Sequence, residues 1–411
     1  MDLRWERTKL KYVADCNRRV LAESTSGDRA FKYIDIGAVG QGSITMPDEL
    51  TAFTDAPSRA RRLAEPGDTV ISTVRTYLRA VATVPETDEE LVFSTGFAVL
   101  HPRSDVSRRF LAYLLQGDAF VDKVVANSVG VSYPAINASD LMALDLLLPP
   151  LDEQRAIADY LDQETAQIDA LVAKQEEFIG LLRERRDAVW AAGLERATEQ
   201  RRLVPLRRVI TSIVDGPFGS SLTSAHYSDS GTRVIRLGNI GTNTFRAHDE
   251  AFIPNSYAEK LSGHDVRPGD VVIAGLGDET WPLGRAAVVP NIGPAIVKAD
   301  CFRARPAADV SGRYLAWALS APQTRSQVAL MARGSTRKRI NTSIARAIEI
   351  PVPSLERQNS ILEASVTELS RVDTLIARAE EHIALAKERR AALITAAVTG
   401  QFDVRTARKA G

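Results

Sequence analysis

The passage from Asn137 to Leu194 recurs without a gap from Asn341 to Val398, with 20 of 58 aligned positions identical at an offset of 204 residues. A period of roughly 20–50 residues is the mark of a solenoid. A period of 204 in a chain of 411 instead means that one large two-part unit has been duplicated and fused. A chain with two like halves is suited to engage something that itself has two like halves.

The repeated passage opens on a proline break, Leu146–Leu151 (LLLPPL) in the first copy and Ile350–Leu355 (IPVPSL) in the second. Asp152, Glu153 and Glu356 follow, acidic residues that favour a first helical turn. Helix-forming sequence then continues to about Leu194 and Val398. Some 43 residues at 1.5 Å rise give a helix of roughly 60 Å. Heptad positions fall on Leu161, Ile168, Leu171, Phe178, Leu182 and Val189 in one copy and on Val372, Leu375, Leu393 and Ala396 in the other. Glu164, Gln175, Arg185 and His382 interrupt that seam, so the two helices suit each other better than either suits a free-standing zipper. The pattern predicts an intramolecular antiparallel pair with a globular domain at each end.

Upstream of each helix lies a region of about 140 residues in which the repeat persists weakly. Tyr33–Val39 (YIDIGAV) matches Val234–Ile240 (VIRLGNI), and a Pro-Gly-Asp turn precedes a β-branched run at both Pro66 and Pro268. Val106–Leu115 matches Val310–Leu319, each with a serine placed to cap an amphipathic helix. Strands come first and helices later, which predicts an α+β fold: two α/β domains in pseudo-symmetric tandem, joined by two long helices packed as an antiparallel coiled coil. The expected boundaries are 1–148 and 199–350 for the globular domains, 149–198 for the first helix, and 351–411 for the second helix and tail.

Composition is ordinary for a globular protein, and net charge is zero. The charge is unevenly spread, however: residues 137–200 carry 6 basic and 14 acidic side chains, and residues 201–340 carry 19 basic and 11 acidic. One globular segment is therefore distinctly basic. No apolar run approaches the roughly 20 residues of a membrane span. Cys16 and Cys301 lie in opposite halves without a CxxC pattern. The expectation is a reduced, cytoplasmic protein with no membrane partner.

Catalytic patterns do not emerge. The sequence has no P-loop, GxGxxG, HExxH or GxSxG, and Gly275–Thr280 (GLGDET) lacks the third glycine of a dinucleotide site. The five histidines, His101, His226, His248, His264 and His382, show no ligand pairing. No nuclease-like carboxylate cluster or adenine-methyltransferase signature is present, so no catalysis, metal or cofactor is expected.

At this level the chain resembles the specificity (S) subunit of a type I restriction–modification enzyme, over essentially its whole length. The resemblance rests on Pro149–Arg155 and its duplicate Pro353–Gln358, each followed by a long helix holding ERR at Glu184–Arg186 and Glu388–Arg390. Asp215–Leu222 (DGPFGSSL), Arg236–Ile240 (RLGNI) and Ala332–Asn341 (ARGSTRKRIN) add to it. It implies a non-catalytic subunit that reads double-stranded DNA with two target-recognition domains, one for each half of a split, asymmetric target. It also implies that the helices set the spacing and dock methyltransferase (M) subunits, two of them, with restriction (R) subunits joining where present. The competing expectation is a non-catalytic coiled-coil scaffold for protein partners.

Candidate DNA contacts follow from residue type and position. After a strand in the first domain come Ser72, Thr73, Arg75, Tyr77 and Arg79, a mix of hydroxyls, an aromatic and cations. Ser132 and Tyr133 lie just before the first long helix. The corresponding stretch of the second domain holds Ser335, Thr336, Arg337, Lys338 and Arg339, whose charge density suits phosphates. Ser220 and Ser221 sit on the DGPFGSSL turn, and Arg236 and Asn239 near the RLGNI turn.

Overall fold

The computed structural model describes residues 5–199, 203–278, 281–334, 337–401 and 404. The chain divides into two compact units, Met1–Glu176 with Glu380–Gly411, and Glu177–Ala379.

In the first unit one antiparallel sheet has the order Ala14–Cys16, Phe97–Pro102, Thr69–Ser72, Val81–Thr83. A second has the order Thr51–Ala52, Ala30–Ile34, Leu91–Ser94, Ala60–Ala64, with its central pair parallel. The second unit repeats both. Ile210–Val214, Cys301–Pro306, Val271–Ala274 and Ala286–Val288 form the first kind of sheet. Phe252–Ile253, Thr232–Ile235, Ala295–Val297 and Asp265–Val266 form the second, again with a parallel central pair. A duplication only faintly visible in the sequence of these regions is thus complete in strand order.

Buried aspartates explain the Pro-Gly-Asp turns. Gly67 and Gly269 adopt φ of 83° and 90°, where a side chain is strained. Asp68 and Asp270 then accept backbone N–H bonds from Glu65 and Arg267, each at 2.9 Å. Asp270 also holds Arg305 through two 2.9 Å bonds.

The repeated Gln of the proline-break motifs is a buried joint. Gln154 accepts the backbone N–H of Ser107 at 2.9 Å and donates to the Pro149 carbonyl at 2.9 Å. Gln358 accepts from Ser311 at 2.8 Å and donates to Pro353 at 2.8 Å. Each therefore ties the start of a long helix to the N-terminus of a domain helix, Arg108–Gln116 or Gly312–Ser320.

The long helices run Leu151–Thr198 and Leu355–Val398, and within each unit their segments are antiparallel. In the first unit Asp169 pairs with Arg390 at 2.9 Å and Glu176 with Lys387 at 3.8 Å. In the second, Arg185 pairs with Glu368 at 2.9 Å and Arg357 bonds the Arg196 carbonyl. Of the predicted seam Leu161, Ile168, Leu182, Val189 and Val372 are buried, whereas Leu171, Phe178 and Leu375 are exposed, at 49%, 42% and 41%. Val172, Ile179 and Ile376 lie inward instead, and Ile383 is more enclosed than exposed His382. Thr165 holds an inward position between Leu161 and Ile168, its buried hydroxyl bonded back to the Leu161 carbonyl at 2.7 Å.

Each helix segment is seated on its own unit by an aromatic side chain. In the second unit Trp317 is fully buried and stacks on Trp190 with centroids 5.1 Å apart. Gly193 makes room, since a Cβ there would lie 2.6 Å from the Trp317 ring. At the homologous position of the first unit, the Tyr113 hydroxyl donates to Asp162 at 2.8 Å, and burial pushes its pKa up to about 12.

Candidate nucleic-acid interface

In the first unit two loops about 50 residues apart in sequence form one projection. Ile136 donates its N–H to the Thr73 carbonyl at 2.9 Å, and the Thr76 and Ser128 hydroxyls meet at 2.8 Å. Val129 and Ala135 exchange backbone bonds at 2.8 and 3.0 Å, closing a tight turn around Gly130, whose φ is 117°. The Arg75 guanidinium lies 5.1 Å from the Tyr133 ring centroid. Arg75, Tyr77, Ser132 and Tyr133 are exposed on this projection.

Not every candidate in that stretch faces outward. Ser72 is buried, its hydroxyl donating to the Val74 carbonyl at 2.6 Å. Half-buried Thr73 donates to the Gly96 carbonyl at 2.9 Å. Arg79 is drawn onto Asp118 and Asp122. Through these bonds the three brace the loop.

The second unit builds the corresponding projection from Leu276–Gly277 paired with Lys338–Arg339. Arg333 and Arg339 exchange backbone bonds at 3.1 and 2.9 Å around Gly334, whose φ is 101°. Arg337, Lys338 and Arg339 are exposed. Arg339 donates to Asp300 at 2.6 Å and lies 5.4 Å from the Phe218 ring centroid, so the DGPFGSSL turn adjoins the basic run. Ser335 and Thr336 lie outside the described residues.

That turn is fixed by Gly216, where a Cβ would come within 2.0 Å of the Lys298 backbone. Asp215 caps it, accepting from Gly216 at 2.7 Å and Asp300 at 2.9 Å. Burial pushes the Asp215 pKa up to about 6, despite these two bonds and the nearby Arg339. Ser220 and Ser221 are exposed beyond it. Asn239 is fully buried and donates to the Arg246 and Asp249 carbonyls, while Arg236 is paired with Asp249. Both therefore hold the RLGNI turn, a correction to their reading as outward contacts.

One cluster has no counterpart among the sequence candidates. Trp281 is partly exposed, with Arg246 at 4.1 Å and Arg285 at 5.7 Å from its ring centroid. With Gly238, Leu276 and Arg337 it lines a cavity of about 220 Å³. Its members are scattered along the sequence, so no local pattern announces it.

Residues 4–178 match the family model described as the type I restriction modification DNA specificity domain. Over those residues the chain is similar to the type I restriction–modification DNA specificity family. The matched residues contain the first projection and the start of the first long helix. The specificity subunit of the type I restriction enzyme EcoKI, from Escherichia coli strain K12, is 24% identical over 249 residues, 58% of this chain and 53% of that protein. The EcoBI specificity subunit, from Escherichia coli, is 24% identical over 279 residues, 62% and 57% respectively. The chain spans about half the length of these curated relatives. A solved chain described under "Structural basis underlying complex assembly and conformational transition of the type I R-M system" covers 96% of this chain and 97% of its own length. Its TM-score is 0.68 at 22% identity, a likeness of fold. Among the described residues no helix is long and apolar enough to cross a membrane.

Proposed function

We propose that this chain is the DNA sequence-specificity subunit of a type I restriction–modification complex and carries no chemistry of its own. Residues 1–148 and 199–350 each read one half of a bipartite, asymmetric target in double-stranded DNA. The helices in 149–198 and 351–411 set the spacing of the halves and dock methyltransferase subunits, two of them given the duplication. Restriction subunits join where the system has them. The observation that carries this reading is one strand order built twice, with a projection on each copy whose side chains differ. A shared scaffold with diverged tips suits two unlike half-sites, just as paired modules read two DNA segments at fixed separation.

Arg75, Tyr77, Ser132, Tyr133, Ser220, Ser221, Arg337, Lys338 and Arg339 are the proposed contacts. Ser335 and Thr336 join them on sequence grounds. Replacing Arg337, Lys338 and Arg339 together with alanine is expected to weaken binding to all duplexes by tenfold or more. It should also lower the slope of log affinity against log salt by roughly two to three, since each phosphate contact contributes about 0.9. Fluorescence anisotropy between ~50 and ~200 mM salt measures both. A chain whose binding to DNA is absent, while its binding to protein partners persists, would be a scaffold instead.

A further inference from the structure

The turn closed by Val129 with Ala135 and the turn closed by Arg333 with Arg339 share their anchoring bonds and carry opposite chemistries at those anchors. They correspond at the same 204-residue offset as the long helices. Each is closed by a reciprocal pair of backbone bonds, Val129 with Ala135 and Arg333 with Arg339. Each has a glycine at positive φ directly after the first member of that pair. Each also pairs its closing residue with the loop after a central strand, Ala135 with Val74 and Arg339 with Leu276. At this offset Val129, Tyr133 and Ala135 stand where the second unit has Arg333, Arg337 and Arg339.

The first turn is also conspicuously open. Val131 is fully exposed, Val129 is 81% exposed and Tyr133 67%. Tyr77 and Leu78, on the loop tied to it by the Thr76–Ser128 contact, are each about half exposed. Single exposed apolar residues are ordinary, but five large ones on two loops locked together by hydrogen bonds make a patch that marks an interaction site. The tip is held rigid in advance, so little ordering is lost when it is covered.

We infer that the Val129–Ala135 turn is a specificity-determining element that takes the 5-methyl group of a thymine in the major groove of its half-site. This rests on the DNA-reading function proposed above. Duplex DNA offers one apolar group to a major-groove reader, the thymine methyl, whereas phosphates and guanine edges call for cations. Exposed Val129 and Val131 match the first; Arg333, Arg337 and Arg339, which replace Val129, Tyr133 and Ala135 in the second unit, match the others. Arg75, held against the Tyr133 ring, supplies a cation at the edge of the patch. The first half-site is therefore held largely by contacts that salt does not screen, and the second largely by charge.

The test uses the full chain in complex with its methyltransferase subunit and the split target that the complex methylates. Each thymine of the first half, on either strand, is replaced in turn by deoxyuridine, which removes only the methyl group. Affinity should fall about three- to fivefold at one or two positions, the loss expected for one buried methyl. The same replacements in the second half should not register through this turn. Val131→Ala should abolish the penalty at one of those positions while leaving the salt slope unchanged. Because Val131 is fully exposed, that variant leaves the fold undisturbed. Uracil neutral at every first-half thymine, a first half with no thymine, or a lowered salt slope in Val131→Ala would overturn the inference and leave the specificity function standing. Absence of any sequence-specific binding would overturn both.

Discussion

A seven-residue insertion after Gly180 alone is expected to abolish specific DNA binding. The same insertion made in both long helices, after Gly180 and after Glu380, is expected to restore binding to a target with a longer unread spacer. Gly180 lies on an exposed face of its helix, where an added Cβ meets nothing within 4 Å. The register does not tolerate the insertion. Seven residues are two helical turns, about 10.5 Å of rise. Added to one helix only, they displace one side of the seam against the other and break the match between Asp169–Arg390 in one unit and Arg185–Glu368 in the other. Added to both, they preserve the heptad phase and lengthen the pair as a whole. At 3.4 Å per base pair the spacer should grow by about three. Competition binding against duplexes whose spacers differ one base pair at a time reads this directly. An unchanged optimum in the doubly extended chain would remove the helices from any role in spacing.

Trp317→Ala is expected to carry the largest stability cost of any single substitution in the second unit. The side chain is fully buried between Trp190, Tyr314 and Gly193, and truncation leaves a cavity that rigid helices cannot close. A loss of about 3–5 kcal/mol follows for a buried tryptophan. In a unit of this size that lowers the unfolding midpoint by about 10 °C. Among the described residues the indole N–H finds no hydrogen-bond partner, so Trp317→Phe should recover much of the loss. Differential scanning calorimetry on the two variants checks both statements. A midpoint within 2 °C of the parent for Trp317→Ala would show that the helix is seated by something else.

The sequence disclosed what local chemistry determines. Proline breaks followed by acidic residues located both helix starts, at Leu151 and Leu355. Pro66-Gly67-Asp68 and its repeat announced their turns, and Ser107 its helix, because each works within a few residues of itself. Strand order was not legible. Several strands are only two to four residues long, and the parallel pairing of Ala30–Ile34 with Leu91–Ser94 joins segments some 60 residues apart.

The helix seam was legible in part: Leu161, Ile168, Leu182, Val189 and Val372 are buried as expected, and Leu171, Phe178 and Leu375 are not. Choosing the bulkiest apolar residues favoured Leu171 and Phe178, whereas Thr165 and Gln175 hold inward positions that hydrophobicity alone does not mark. At the candidate interface, polar residue type could not separate Arg75, which faces out, from Ser72 and Asn239, which hold backbone. Nor could it foresee that the most exposed side chains of the first projection would be valines.

Two unlike recognition domains are proposed to direct methylation to one split sequence. Genome-wide mapping of N6-methyladenine after co-expression with the partner methyltransferase subunit tests it most directly. The account predicts a single new motif, two different halves separated by a fixed run of unread bases. A soluble, assembled complex that adds no new methylation, or that methylates a continuous motif without a spacer, would contradict it.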